Sequence, residues 1–398
     1  MANTILTPTA VTREALRILH AKAKFIGTIN RQYDASFAKS GAKIGNSLKI
    51  RLPNQYTVRT GAVLAVQNTV EDSVTLEVAT QKGVDINFTS EELTMDLDDF
   101  SSRILKPAMS VLASNIEADA YSMYKDVYNM VDNDGAALTF LNILDAKRFM
   151  DDTLTPEDDE RFVQMKTAHV PKLINDVKGL FHDAEAIKKQ YREGMIGRTA
   201  GFDFYQNTVA TDHTTGTAVE GDTLYNVNGA GQVGATLTVD TGTTTFLIGD
   251  VITLPGSNAV HPETKADLGY AQKFVITANS GAAATSLAIS PSIVATGAKQ
   301  NVTASPTTTG AVTKVGGGAS ETLNTTMAYH KDAFTFVTAD LVMPSGVDFS
   351  SRQVLDGISM RIVRQYDINN DQFPCRLDVF YGKKAIRPQM ACRIHADG

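Results

Sequence analysis

An α+β fold is predicted by three stretches of the sequence: alternating apolar runs near the start, one long amphipathic helical pattern, and a later Thr-, Gly-, Ala- and Ser-rich stretch. In the first, Leu48, Ile50 and Leu52 share one face while Lys49 and Arg51 take the other, until Pro53 ends the run. Val74, Leu76 and Val78, then Val84, Ile86 and Phe88, repeat the alternation that a half-buried strand requires. In the second, Ile104, Ala108, Val111, Leu112, Ile116, Ala120, Met123, Val127 and Met130 keep the helical period from Phe100 to Val131. In the third, from about Tyr205 to Ser320, the runs ATLTV, DVITL, KFVIT and SLAIS recur between turn residues while charges thin out, which predicts a small all-β domain.

The remaining elements come in chain order. TREALRILHAKAKF places Ala15, Leu16, Leu19 and Ala23 at helical spacing, and INRQYDASFAKSGAKIGNS then loses all periodicity, so a short helix sits on an extended arm. NQYTVRTGAVLAVQNTVEDS, between the first two strands, has few residues fit for a core and is too long for a simple connector; with its flanking strands it predicts a long two-stranded excursion. Ser101 or Ser102 can cap the long helix, and Pro107 is tolerated near its start. From Leu141 to Phe204 helical and extended signals alternate, and the acidic run DDTLTPEDDE is expected to be a solvated turn. AYHKDAFTFVTADLVMP, SMRIVRQYDI and RLDVFYGKKAI are strand-like and share the charged character of the first half, so a main domain is interrupted by an inserted β-domain.

With 398 residues and 43% hydrophobic content, the chain can bury a sizeable core, divided into two or three compact units. Cys375 and Cys392 supply neither a disulfide framework nor a C-x-x-C pair. MANTILTPTAV lacks the basic and apolar regions of a signal peptide, and no apolar run is long enough to span a bilayer, so no membrane or secretory role is expected. A formal net charge of -7 disfavours a protein whose whole surface grips nucleic acid.

Candidate chemistry is sparse. YREGMIGRTAGFD, from Tyr191 to Asp203, suggests a phosphate cradle, but Gly194, Gly197 and Gly201 have neither accepted spacing, and Phe202 to Tyr205 is extended where a helix should begin. A helix over 184–192, stopped at Gly194 and turned into a strand, explains the stretch better. The 7 histidines include no zinc-hydrolase spacing, and His182 beside Asp183 and Glu185 is expected to mark a helix start. Asp367, Asn369 and Asp371 mimic the first ligands of a calcium loop with Asp378 at the twelfth place. Gln372 stands where that loop needs glycine and Asp378 is shorter than the usual glutamate, so a polar turn joining two strands is the better reading. No G-x-S-x-G elbow occurs, no cofactor site is evident, and no enzyme is expected. Arg51, Arg59, Lys82 and Arg103 lie on or beside the excursion and the long helix; they are either solvated charges or, if the excursion lies on another copy, pairs for Glu71, Asp72, Asp98 or Asp99.

The series of arm, hairpin excursion, long helix, mixed α/β lobe, inserted β-domain and returning strands resembles the major capsid proteins of tailed double-stranded DNA phages, most closely the P22-type coat proteins. YREGMIGRTAGFD, KDAFTFV at Lys331 to Val337 and YGKKAIRP at Tyr381 to Pro388 carry that resemblance most specifically. It implies the Hong Kong 97-type capsid fold: an N-terminal arm (1–43), an extended loop (44–84), a peripheral domain with the spine helix (85–135), an axial domain (136–217), the β insertion (218–320) and a return to the axial and peripheral domains (321–398). It also implies self-assembly through pentamers and hexamers into a shell that encloses double-stranded DNA without sequence-specific binding. A scaffolding protein, a portal and a decoration protein are the implied partners, and the virion, after assembly in the host cytoplasm, the implied location. The subunit-interface residues expected are Arg51, Arg59, Glu71, Asp72 and Arg103. The alternative is a β-rich binding module such as an adhesin or decoration protein, which would be a monomer or small oligomer.

Overall fold

The computed structural model describes residues 8–33, 47–64, 66–69, 71–89, 106–177, 198–355, 358–370 and 372–397. The chain divides into two units. The first comprises Met1–Arg51, Ser73–Tyr121 and Phe334–Ile386, the second Leu52–Asp72, Ser122–Ala333 and Arg387–Gly398.

In the first unit the strands run in the order Asn30–Tyr33, Phe334–Thr338, Gln372–Ala385, Ile358–Arg364 and Phe349–Leu355, and Thr80–Thr89 also pairs with the long Gln372–Ala385 strand. Asn30–Tyr33 is parallel to its neighbour and the other pairings are antiparallel. Helix α1 (Pro8–Lys22) buries Ala15, Leu16, Ile18 and Leu19, and the short helix α2 (Lys24–Thr28) buries Phe25 and Ile26. Helix α3 (Lys106–Tyr121) buries Met109, Leu112, Ala113, Ile116 and Ala120. Phe25 is wedged between Tyr121 and Phe334, with ring centroids 5.5 and 5.7 Å away. Within the stripe of α3 sits a buried carboxylate, Glu117, which accepts the backbone N–H groups of Phe25 and of Ile26, the latter at 3.2 Å. It thereby satisfies donors that the first turn of α2 leaves without helical partners.

The long helical pattern ends sooner than its period predicts. After Tyr121 the chain tightens into a 3₁₀ turn (Ser122–Asp126), and Met130 already belongs to a strand, Met130–Ala137. Every residue from Val127 to Val131 is buried, which a one-sided helix cannot achieve, and the strand pairs in parallel with Ala391–Asp397. Tertiary pairing has overridden the local period. Val111, expected in the apolar stripe, is 59% exposed, and Phe100, Ser101, Ser102, Arg103 and Ile104 lie outside the described residues.

The second unit is built on a six-stranded mixed sheet in the order Met130–Ala137, Ala391–Asp397, Thr325–His330, Arg161–Lys166, Phe202–Asn207 and Arg198–Thr199. Helices α4 (Phe140–Asp152) and α5 (His169–Val177) enclose a core with one face of it, formed by Ile143, Phe149, Leu173, Val163, Met165, Cys392 and Ile394 among others. Asn142 accepts the Thr139 backbone N–H at 2.9 Å and so closes the start of α4. Residues 178–197 lie outside the described residues, and with them the His182 cluster, the expected helix over 184–192 and the first part of the glycine-rich stretch, 191–197. The stretch ends in a two-residue hairpin in which Thr199 pairs with Phe202 and both Ala200 (φ 54) and Gly201 (φ 83) are left-handed, the conformation of a tight I′ turn.

Strands Gly234–Thr238, Ser286–Ile293, Asp267–Ile276, Val251–Val260 and Thr313–Val315 form a five-stranded antiparallel sheet. Each of the first four contains or borders one of the predicted short runs, and the inward residues of the sheet and its connections, including Phe246, Ile252, Leu254, Phe274, Ile276, Leu287 and Ile289, form a separate core. The last strands divide: Phe334–Ile386 belongs to the first unit, while Ala391–Asp397 lies inside the six-stranded sheet of the second.

Candidate functional site

The residues best placed to act on something outside the chain are on the hairpin excursion. Its root is a regular antiparallel pair, Ser47–Arg51 with Ser73–Glu77, in which Leu48 lies opposite Leu76 and Ile50 opposite Val74. Leu76 and Val78 are buried with Val337 and Ala339, and Leu48, Ile50 and Phe380 pack on them. One more backbone bond, Leu52 N–H to Asp72 O at 2.8 Å, extends the ladder, and side chains then replace it. Gln67 accepts the Thr57 N–H at 2.9 Å and donates to the Thr57 carbonyl at 2.5 Å, and Tyr56 Oη lies 3.3 Å from Thr69 Oγ1. The segment beyond exposes its apolar side chains: Val58 is 96% exposed, Val63 84%, Leu64 77% and Val66 79%. Four large aliphatic groups in so short a segment gain nothing from the subunit that carries them and favour a surface that would cover them.

The charges expected at an interface behave differently from one another. Arg51 ends the root strand opposite Ser73, and Arg59, though exposed, donates to the Gly61 carbonyl of its own loop. Asp72 is ion-paired with Lys299 of its own chain, and Glu71 beside it is exposed. Lys82 donates to the Asn115 carbonyl on α3 at 3.1 Å. Arg103, Asp98 and Asp99 lie outside the described residues. The electrostatic part of the excursion is thus partly spent within the subunit, and the apolar tip is what remains open.

The calcium loop does not form. Asp367 accepts the Asn369 N–H at 3.0 Å and the Asn370 side-chain amide at 2.7 Å, and bridges to Gln372, which makes it the corner of the turn between two strands. Asp378 lies six residues beyond Gln372 along an extended strand, about 20 Å from that corner at the rise of a β-strand. It is fully buried there, bonded to Arg361 at 2.8 Å and Arg376 at 2.8 Å. Burial opposes its charge, but these partners outweigh it and hold the carboxyl below the usual range. Asp371 lies outside the described residues. Gly83 makes room for the arrangement: a Cβ there would stand 2.5 Å from Asp378 Oδ1 and 2.6 Å from the Leu377 carbonyl. Beside it runs a groove of about 660 Å³ lined by Asp85, Ile86, Pro344, Arg361, Val363 and Cys375.

Among the described residues, Asp158, Glu160 and His330 have the mutual spacing of metal ligands. Their chemistry does not suit an ion. His330 Nδ1 accepts the Asp332 N–H at 3.2 Å, so its proton is on Nε2, which faces both Asp158 oxygens at 3.1 Å, whereas a metal-bound imidazole donates from its second nitrogen. Glu160 is already paired with the Lys331 ammonium at 2.6 Å. The acidic run is therefore more than a solvated turn. Asp151 pairs with Lys147 and with the buried Arg161, Asp159 with Arg198, and Asp158 and Glu160 with the end of the strand Thr325–His330 and the residue after it. No motif announces Arg161, whose guanidinium also donates to the carbonyls of Thr155 and Pro156. Burial pushes both cysteine thiols up to about 12, which removes them as nucleophiles near neutral pH.

Comparison with known proteins gives these features a setting. The family described as "P22 coat protein - gene protein 5" matches residues 21–393. No curated protein matches. Among solved structures, one from Mycobacterium phage Che8 is similar with 12% sequence identity and a TM-score of 0.48, covering 94% of this chain and 90% of that one. The capsid of Ralstonia phage GP4 is similar with 8% identity and a TM-score of 0.45, covering 95% and 92%. The capsid of Cyanophage P-SCSP1u has 11% identity and a TM-score of 0.45, covering 93% and 86%. With the family match extending over nearly the whole chain, from the first-unit helices to the final strand of the second unit, the chain belongs to the P22 coat protein family and is a coat protein of a phage capsid.

Proposed function

We propose that this coat protein is the major capsid subunit of a tailed phage head, closing through pentamers and hexamers into an icosahedral shell around packaged double-stranded DNA. The observation that carries the reading is the hairpin: a root fixed by Leu76 and Val78, and a tip that holds Val58, Val63, Leu64 and Val66 in solvent. A two-stranded ribbon is marginal alone, and a neighbouring subunit that covers the tip orders it and binds it in one step. Repeated around an axis, such a heterologous contact closes into rings. Each contact is modest, since part of its apolar gain is spent on ordering the loop and on association.

In this reading the first unit supplies the arm, the spine helix α3 and the peripheral sheet, and the second the axial domain. The five-stranded sheet within residues 218–320 is an inserted domain that steadies the subunit. A scaffolding protein and a portal guide assembly, a decoration protein has the outer surface open to it, and the acidic net charge suits a wall that encloses DNA without gripping it. The work is binding rather than catalysis. A free-standing adhesin or decoration module rests on the Thr-rich sheet alone and leaves the hairpin without a purpose.

Cross-linking tests the reading directly. Both native thiols are buried, so Val58→Cys introduces one accessible thiol at the tip. A thiol-directed photo-cross-linker at this position is expected to join subunits into ladders up to pentamers and hexamers in assembled material. Exclusive cross-linking within single subunits would refute the proposed contact between the tip and a neighbouring subunit.

A further inference from the structure

The six-stranded sheet of the second unit has two unlike faces. Val163, Met165, Ala328, Cys392, Ile394 and Ala396 form the apolar face under α4 and α5. Side chains alternate along a strand, so Gln164, Met327, Arg393, Thr325 and His395 point the other way. The register sets Gln164 and Arg393 on either side of Met327, and Thr325 beside His395. All five are fully buried and four of them, Met327 excepted, are polar or charged, which gives this second face a polar layer where an apolar one would ordinarily be found.

Other segments of the same unit cover that layer with more polar groups. His213 Nε2 lies 2.9 Å from Asp250 Oδ1, and Asp250 Oδ2 accepts the N–H groups of Gly216 at 3.0 Å and Leu247 at 2.8 Å. Arg393 donates to the Gly249 carbonyl and its guanidinium stands 6.0 Å from the Tyr124 ring. The His213 and His395 rings are 6.0 Å apart, edge to face. Among the described residues, several atoms here have no hydrogen-bond partner: Nδ1 of His213, both ring nitrogens of His395, Nε and Nη1 of Arg393, and both amide atoms of Gln164. Buried polar atoms left unpaired make the closed layer costly.

We propose that His213 and His395 form an acid-operated release in this layer: protonation of the two rings adds positive charge beside the buried Arg393, and the layer opens to water. Around His395, burial comes first, and Arg393 on its own strand, His213, His169 from α5 and Lys314 from the strand Thr313–Val315 all disfavour the charged ring. Asp132 stands opposite His395 in the parallel register. For His213, burial, Arg393 and Lys125 disfavour the charge and Asp250 favours it, with a net lowering. Tyr124, Asp250 and Asp126 face Arg393. His169 belongs to the opposite face and is bonded at both nitrogens, to Thr326 Oγ1 at 2.7 Å and the Ala396 carbonyl at 3.0 Å.

Linkage sets the direction. Both rings are held below the ordinary histidine value, so the closed layer prefers them neutral; its stability is present above about pH 6.5 and is lost as the pH falls through the lowered values. An open layer that takes up two more protons becomes favoured by up to about 100-fold per pH unit below that point.

Hydrogen exchange read by mass spectrometry on the full-length, unassembled subunit tests this between pH 7.5 and 5.0, after correction for the intrinsic pH dependence of exchange. Protection is expected to fall steeply in residues 213–216, 247–252 and 391–397 while the Gln372–Ala385 strand keeps its own. In the double variant His213→Gln, His395→Gln the fall is expected to flatten. Unchanged protection at pH 5.0, an equal fall in Gln372–Ala385, or the same pH slope in the double variant would overturn the proposal. Should that variant fail to fold, NMR of the unsubstituted protein with labelled histidine decides the matter. Two rings neutral at pH 7.5 that take up protons together with the rise in exchange support the release, and rings already charged at pH 7.5 overturn it.

Discussion

Replacing Val58 and Leu64 with aspartate attacks shell building while leaving the subunit's own packing intact. Val58 is 96% and Leu64 77% exposed, so few contacts within the chain are lost, and surface substitutions of this kind change stability by about 0.5 kcal/mol or less. In a shell that covers both side chains, each contributes about 1.5–3 kcal/mol of apolar burial. Losing the pair removes at least about 3 kcal/mol per contact, before the added penalty of burying two carboxylates. That loss raises the subunit concentration needed for assembly by more than about 100-fold. Sedimentation velocity over a concentration series, with and without a candidate scaffolding protein, measures the threshold, and urea unfolding of the free subunit supplies the control. An unchanged threshold, or a fall in subunit stability as large as the assembly defect, would refute the reasoning. The conservative pair Val58→Ile, Leu64→Met should assemble as the parent does.

Further predictions concern the two units separately. Asp378→Asn should destabilise the first unit by about 2–3 kcal/mol in urea unfolding, because the mostly buried Arg361 loses its counter-ion, while the pair with the 56%-exposed Arg376 adds little. Since the folded-state value of Asp378 is lowered, its stabilisation is present above its unfolded value near 3.8 and is lost as the pH falls through the folded value; the variant's deficit should shrink below pH 3.8. Gly83→Val should cost about 1–3 kcal/mol by the same assay, since its Cβ would intrude on Asp378 and the Leu377 carbonyl. Millimolar calcium should leave the thermal midpoint unchanged and produce no heat in titration calorimetry. Lys273, lowered to about 8 chiefly by burial, stands 3.9 Å above the Phe149 ring. The parent should gain stability relative to Lys273→Met as the pH rises from about 8 to 10.5, and the variant should be no less stable at pH 7; the reverse slope would show that the ammonium is well solvated or well paired.

Much of the fold was legible because alternation and composition are local signals. Leu48 with Ile50, Val74 with Leu76, and Val84 with Ile86 mark segments that the structure forms as strands, and the ATLTV, DVITL, KFVIT and SLAIS runs each fall on a strand of the five-stranded sheet. The end of α3 was not legible, because Val127 and Met130 satisfy the helical period equally well when strand pairing with Arg393 and Ile394 claims the chain there. Asp378 looked like a twelfth ligand only while its distance from Asp367 was counted in residues; an extended backbone separates what a loop would bring together. The hairpin was legible as a long excursion from its poverty in core residues, but its apolar tip became informative only with the exposure of Val58, Val63, Leu64 and Val66. Arg161, Arg393 and His395 left no mark, since a buried cation is specified by distant strands rather than by its neighbours in sequence.

The central claim is that this chain builds a closed shell, and negative-stain electron microscopy of the purified protein, alone and co-expressed with a candidate scaffolding protein, tests it most directly. Closed spherical particles, with sedimentation coefficients far above that of a 42.9 kDa monomer, are the predicted result. A monomer or dimer that persists under both conditions would contradict the account.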